Sequence, residues 1–233
     1  MFLWLVSMSN LRFFEIYRNP EYVWLLAKGA LISAALTIGG GILGFLLAVL
    51  LAAVRHYKVP VLAQLAAAYV EFIRNTPLIV QMFFVAFGLP LLLGYQWPFW
   101  AHALLALSIN FSAYFAEILR AGLASLGAGQ TEAADALGLP RWLSFVKVCL
   151  PQAVAAMYPS LNSQFIFLFL TTGIISEIGV TDLTWAGLFI DSRNFRSFEI
   201  FFTLTVIYLL MSLGFKTLLA LLHDRLFKWK VVR

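Results

Sequence analysis

The residues that could do chemistry in this chain are few, and the most telling group is a polar island between two long apolar stretches. It reads Thr131-Glu132-Ala133-Ala134-Asp135-Ala136-Leu137-Gly138. Its chemistry is docking, not bond making. Thr131 can cap a helix, Glu132 and Asp135 then fall near the positive helix end, and Gly138 can close the helix in the left-handed conformation. The expected helix, Glu132 to Leu137, is too short to persist alone in water. It needs a surface to lie on, and the small side chains of Ala133, Ala134 and Ala136 allow close approach to one.

Covalent chemistry finds no such grouping. His56, His102 and His223 lie in separate segments without metal-ligand spacing. No nucleophile stands beside a base in a recognisable set. Cys149 is the single cysteine, so no intrachain disulfide can form. Gly39-Gly40-Gly41 with Gly44 is not a phosphate loop, because no Gly-Lys-Ser/Thr follows; Gly40 and Gly44 instead form a small-xxx-small face for helix packing. Since no Walker motif occurs, any ATP used must bind on another chain. The reading is a chain that is not an enzyme and holds no cofactor or metal itself.

The elements that carry these residues are apolar spans. The chain is 62% hydrophobic and 12% charged, unlike a soluble globular domain. Phe and Trp are plentiful, as suits lipid contact and interface belts. Five stretches are long and apolar enough to cross a bilayer: about 25–54, 77–93 with an amphipathic lead-in from Leu62, 100–119, 153–176 and 198–222. All should be helices, because backbone groups in hydrocarbon must be paired within the segment. The fold class expected is therefore an all-α integral membrane protein. Residues 1–24 read as an outer, interfacial N-terminal segment, whose start Met1 to Asn10 makes a poor secretory signal. Residues 25–222 read as one transmembrane domain with a loop at about 121–151, and 223–233 as a basic tail.

Charge orients the spans. Arg55, Lys58, Arg74, Arg120, Arg141, Lys147, Arg225, Lys228, Lys230 and Arg233 fall on one side; Arg12, Arg18, Arg193 and Arg196 fall on the other. The positive-inside rule makes the first side cytoplasmic, with the Glu132 loop and the C-terminus inside and the N-terminus outside. The net charge of +5 is thus membrane topology and calls for no nucleic acid. Two Glu-x-x-Arg pairs, Glu71 with Arg74 and Glu117 with Arg120, share helix faces near the inner ends of their spans. Pro77 suits a first helical turn, with Arg74-Asn75-Thr76 capping the second span.

Several segments in order carry a resemblance. Glu-Ala-Ala, Gly138, Val148 and Leu150-Pro151 have the spacing of the signature loop in permease subunits of bacterial ABC importers. Glu71-Phe72-Ile73-Arg74-Asn75-Thr76-Pro77-Leu78, Ala113 to Gly122, Gly129-Gln130, Pro151-Gln152-Ala153 and Ile178 to Leu183 resemble the polar amino acid permeases, the histidine/glutamine permease family. The resemblance spans about 28–183. It implies a type I ABC importer permease fold in the bacterial inner membrane. It implies that Glu132, Ala133, Ala134, Ala136, Leu137 and Gly138 meet the ATPase. It also implies an ATP-binding subunit dimer that holds ATP and Mg, a second permease subunit, and a periplasmic or lipid-anchored substrate-binding protein.

Intramembrane polar groups are the substrate-path candidates: Asn110, Ser112 and Tyr114 in the third span, Thr171, Thr172 and Ser176 in the fourth, and Glu177 beyond. Their structural alternative is helix–helix bonding or bonding back to the same helix. Relatives of this family carry Lys-Asp-Thr-Ser-Leu where this chain has Leu170-Thr171-Thr172-Gly173-Ile174. Losing the Asp weakens a cationic cargo, since a buried carboxylate could pair with it. Thr171 and Thr172 could still donate to a substrate carboxylate. The resemblance therefore implies amino acid import by alternating access, with a neutral or acidic cargo favoured. A cationic cargo handled mainly by a partner permease is the alternative; a secondary transporter or an intramembrane enzyme fits the motifs less well.

Overall fold

A computed structural model describes residues 11–228. The readings made for Met1 to Asn10, and for Lys230 and Arg233 in the tail, lie outside the described residues. The architecture is helical throughout. A short helix α1 (Phe14–Tyr17) leads into α2 (Pro20–His56). The chain continues through α3 (Leu62–Arg74), α4 (Leu78–Leu93), α5 (Phe99–Ala124), α6 (Ala128–Ala136), α7 (Arg141–Ile178), α8 (Leu183–Asn194) and α9 (Ser197–Leu226). Helices α2, α5, α7 and α9 are each long and apolar enough to cross a membrane, and the bent pair α3–α4 makes a fifth candidate.

Helix α2 begins where its sequence lets it. Asn19 Oδ1 accepts from the Glu21 N–H at 3.0 Å, and Pro20 occupies the first turn, where its missing N–H costs nothing. Its 37 residues run about 55 Å, well beyond a hydrocarbon core of about 30 Å. It packs most extensively against α5, and glycine makes that contact possible. A Cβ on Gly44 would lie 3.1 Å from Ser108 O and 3.3 Å from Ser112 N; one on Gly40 would lie 3.2 Å from Leu107 Cβ. The small-residue face of α2 is thus a close backbone seam. Around it lie Ala103, Ala106, Phe111, Ala113 and Ala116 of α5, all buried.

Two spans differ from the sequence expectation for one shared reason. In α4 and α7 a five-residue π-turn precedes a proline: Phe84–Gly88 before Pro90, and Phe145–Cys149 before Pro151. Proline lacks an N–H and crowds the carbonyl four residues back, and a π-turn relieves both problems without ending the helix. The fourth span therefore begins at Arg141, not near Ala153. It ends in a 3₁₀ stretch, Thr172–Ile178, stopped by Gly179 at φ 88°.

The second span is corrected in another way. Helices α3 and α4 meet at 106°. Asn75 and Thr76 do not cap α4: Asn75 Nδ2 donates to Glu71 O at 2.8 Å and Thr76 Oγ1 to Phe72 O at 3.0 Å, both closing the end of α3. Pro77 sits at the N-cap of α4 with extended backbone. Gln81 then staples the corner, donating to Ile73 O at 2.8 Å and to Thr76 O at 3.2 Å.

Helix α8 was not expected from the sequence. Asp182 caps it through Oδ1, which accepts from Trp185 N–H at 2.9 Å. It lies against α2 so closely that a Cβ on Gly29 would fall 2.6 Å from Asp182 O. At the same end, α1 is tied to the start of α9. Glu15 pairs with Arg196 at 2.6 Å, Glu199 accepts from Arg12 N–H at 3.0 Å, and the Tyr17 and Thr203 hydroxyls meet at 2.9 Å.

Candidate coupling surface and substrate path

Helix α6 is longer than the motif suggests. It starts at Ala128 with Gly127 as its N-cap, so Thr131 lies inside the helix and is not the cap. Glu132 and Asp135 accordingly stand in the later turns, not at the positive end. The first turn is held from outside: Gln152 Nε2, on α7, donates to Gln130 Oε1 at 3.0 Å. The C-terminus follows the expected chemistry. Gly138 adopts φ 68°, its N–H donates to Asp135 O at 2.9 Å, and Leu139 N–H donates to Ala134 O at 3.1 Å. This pair of bonds is the Schellman arrangement, which needs a left-handed residue at the position Gly138 fills.

The surface of α6 is divided. Ala134 is buried against the π-turned start of α7, where Phe145 and Cys149 are also buried. Glu132, Ala133, Ala136, Leu137 and Gly138 face outward, and Leu137 is 79% exposed. Trp142, at 65%, adds an exposed aromatic ring beside it. Sequence reasoning missed Trp142; an isolated Trp between a helix stop and a basic turn was the available signal. Below this surface, Tyr57 at the end of α2 donates its hydroxyl to Arg141 O at 2.5 Å. Burial holds the Tyr57 phenol above its ordinary pKa, so it stays a donor. Helices α2, α6 and α7 are joined here by named bonds.

The inner ion pairs are partly as expected. Glu117 Oε1 meets Arg120 at 2.5 Å and Glu117 Oε2 meets Arg55 of α2 at 3.1 Å. The pairing expected between Glu71 and Arg74 is absent among the described residues. Arg74 instead lies over the Tyr114 ring, 5.6 Å from its centroid.

The substrate-path candidates separate into two groups. Asn110 and Ser112 are buried and committed between helices. Asn110 Nδ2 donates to Gln81 Oε1 at 2.9 Å, and the Ser112 and Tyr69 hydroxyls meet at 2.8 Å. Thr171, Thr172 and Ser176 bond back to their own helix, at Leu168 O, Phe169 O and Gly173 O. Thr172 is fully buried, Thr171 and Ser176 half-buried, and Glu177 exposed. Tyr114 is half-buried beneath Arg74. The candidates therefore do not converge on one point.

Residues 29–228 match the description "Binding-protein-dependent transport system inner membrane component". The chain belongs to this family. It is 35% identical over 204 residues to the glutamine transport system permease protein GlnP of Escherichia coli (strain K12), covering 87% of this chain and 93% of that one. It is 33% identical over 192 residues to the L-cystine transport system permease protein TcyL of Bacillus subtilis (strain 168), covering 79% and 80%. Among solved structures it is similar to an amino acid ABC transporter crystallised with histidines, at 33% identity and TM-score 0.80, covering 93% of this chain and 99% of that one. The MetNI methionine ABC transporter in an inward-facing conformation shares the fold, with TM-score 0.76 at 17% identity. This permease is thus a transport component, not an enzyme, with the type I ABC permease fold and several helices long and apolar enough to cross a membrane. Family membership brings an ATPase and a binding protein as partners in general.

Proposed function

We propose that this permease carries a polar amino acid into the cytoplasm of a bacterium by alternating access, driven by ATP and Mg bound on a partner ATPase dimer. The observation that carries the reading is α6: a helix with one buried alanine, an exposed face at Glu132, Ala133, Ala136 and Leu137, and a glycine-dependent stop at Gly138. A helix so short is stable only when docked, and its exposed side fits the groove of a partner better than water. Its bond to α7, which is bonded in turn to the end of α2, supplies a route by which closure of the ATPase could tilt the bundle.

In this reading the chain lies in the inner membrane with α6 and the tail inside. Residues 25–222 form the transmembrane domain and 1–24 the outer segment. A second permease subunit completes the path, since one bundle alone encloses no symmetric channel. Asn110, Ser112 and Thr172 serve as scaffold, and Tyr114, Thr171, Ser176 and Glu177 flank the path. Both threonine hydroxyl protons are spent on backbone carbonyls, and only the half-buried Thr171 keeps lone pairs that accept from an ammonium or amide N–H; donation to a carboxylate is no longer favoured. A neutral cargo suits that surface, and two similar permeases are named for glutamine and cystine. A cationic cargo, held mainly by a partner permease, is the second reading; the solved relative with histidines favours it.

The test is uptake of labelled amino acids by proteoliposomes holding the permease, its ATPase and its binding protein. ATP-dependent uptake is expected, with Gly138→Pro abolishing uptake while basal ATP hydrolysis persists. Uptake driven by an ion gradient in the permease alone would replace this reading with a secondary transporter.

A further inference from the structure

At the end of the bundle that carries α6, a cavity of about 360 Å³ opens between α2, α3 and α5. That volume lies at the lower end of small-molecule pockets, about 300–1,000 Å³. Its polar lining is Arg55, Glu71, Arg74, Asn75, Tyr114 and Glu117. These charges are not equivalent. Glu117 is already satisfied by Arg55 and Arg120. Among the described residues, the Glu71 carboxylate has no hydrogen-bond or ion-pair partner, and the Arg74 guanidinium contacts only the face of Tyr114. Stacking on a ring leaves the N–H edge of an arginine free to take a carboxylate in two parallel bonds.

The cavity therefore offers one free anion and one free cation, one helical turn apart on α3. A simple acid, an amine or a metal ion would satisfy only one of them. A zwitterion that carries ammonium and carboxylate on one carbon satisfies both. We propose that this cavity binds the headgroup of an α-amino acid on the α6 side of the membrane, with Arg74 on the carboxylate and Glu71 on the ammonium. It is a release-side site, separate from Thr171–Ser176, and it reads the headgroup and not the side chain. The inference rests on the amino acid import reading.

The assembled permease–ATPase complex in nanodiscs, without nucleotide or binding protein, is titrated with radiolabelled L-glutamine. Unlabelled glutaminamide, which lacks the carboxylate, and 4-carbamoylbutanoic acid, which lacks the ammonium, serve as competitors. The wild-type complex should prefer glutamine to both. Arg74→Gln should weaken glutamine by about tenfold and compete equally well with glutaminamide, the loss expected for one charge-assisted contact. Glu71→Gln should do the same for 4-carbamoylbutanoic acid. Gel filtration and basal ATP hydrolysis check that each variant complex is assembled. Unchanged selectivity in both variants overturns the proposal. So does a result in which Glu71→Arg/Arg74→Glu restores an assembly that the single variants lose, since reciprocal pairs between two permease copies would then hold these charges. A complex that imports amino acid yet binds no glutamine in this way overturns the cavity alone; one that imports none overturns the reading beneath it.

Discussion

Asp182 shows how one residue can be legible as a type and illegible as a state. A Thr-Asp pair before Leu183 and Trp185 is an N-cap signal, and the structure uses it as one. What the chain order conceals is that Asp182 is fully buried, with Oδ2 outside hydrogen-bond geometry although the Tyr208 hydroxyl lies near. Burial pushes its carboxyl up from 3.8 to about 6. The folded form then holds this proton more tightly than the unfolded form. Stability from this group is greatest below pH ~4, falls as pH rises to ~6 and is flat above, by at most about 3 kcal/mol. Asp182→Asn keeps a capping oxygen and removes the charge. It should flatten that slope and raise the unfolding midpoint at pH 7, read by thermal unfolding in detergent; a wild-type slope in the variant would assign the titration to another group. Gly138 is the opposite case, since its left-handed conformation and its role as a stop were both readable from type and position. Thr131 was misread as a cap because the helix begins earlier, at Ala128, with Gly127 at its N-cap and no side-chain cap to mark it.

At the scale of elements, the glycines of α2 divide the packing positions from the passive ones. Gly44→Val would drive two methyl groups into the α5 backbone, which cannot yield as a side chain can. Overpacking of this kind costs about 1–3 kcal/mol, so a lower unfolding midpoint and lower yield are expected. Gly214→Ala in α9 is the internal control: nothing lies within 4 Å of the added carbon, and helix propensity alone should leave stability equal or higher. Equal losses at both sites would mean that the α2–α5 seam is not tight. The four long apolar helices, and the bent pair that could make a fifth span, were readable because hydropathy is a local sum. The continuity of α7 through Pro151 was not, because a π-turn is a choice of hydrogen-bond register that composition does not encode. Helix α8 escaped notice because it is too short for a span and its burial comes from α2 and α9.

For the whole molecule, the orientation drawn from Lys and Arg is a statement about two ends. The structure gathers Arg55, Arg74, Arg120 and Arg141 near α6, and Arg12 and Arg196 beside α1 and α9. Single reporter cysteines test which end faces in. Leu137→Cys and Phe195→Cys sit at sites 79% and 86% exposed, whereas native Cys149 is buried. In membranes holding the permease without its ATPase, a membrane-impermeant maleimide should label position 195 in spheroplasts and position 137 only in inverted vesicles; the reverse pattern would invert the topology. The sequence by itself determined the family, the helical apolar class of the chain and the glycine stop at Gly138, because each is written in local composition or in spacing along the chain. Only the tertiary structure decided which charges are spent and which are free. Glu117 and Arg55 are 62 residues apart yet pair, while Glu71 and Arg74, one turn apart, do not. Pairing depends on distances across helices, and those distances follow from how glycine seams and proline π-turns let the spans pack.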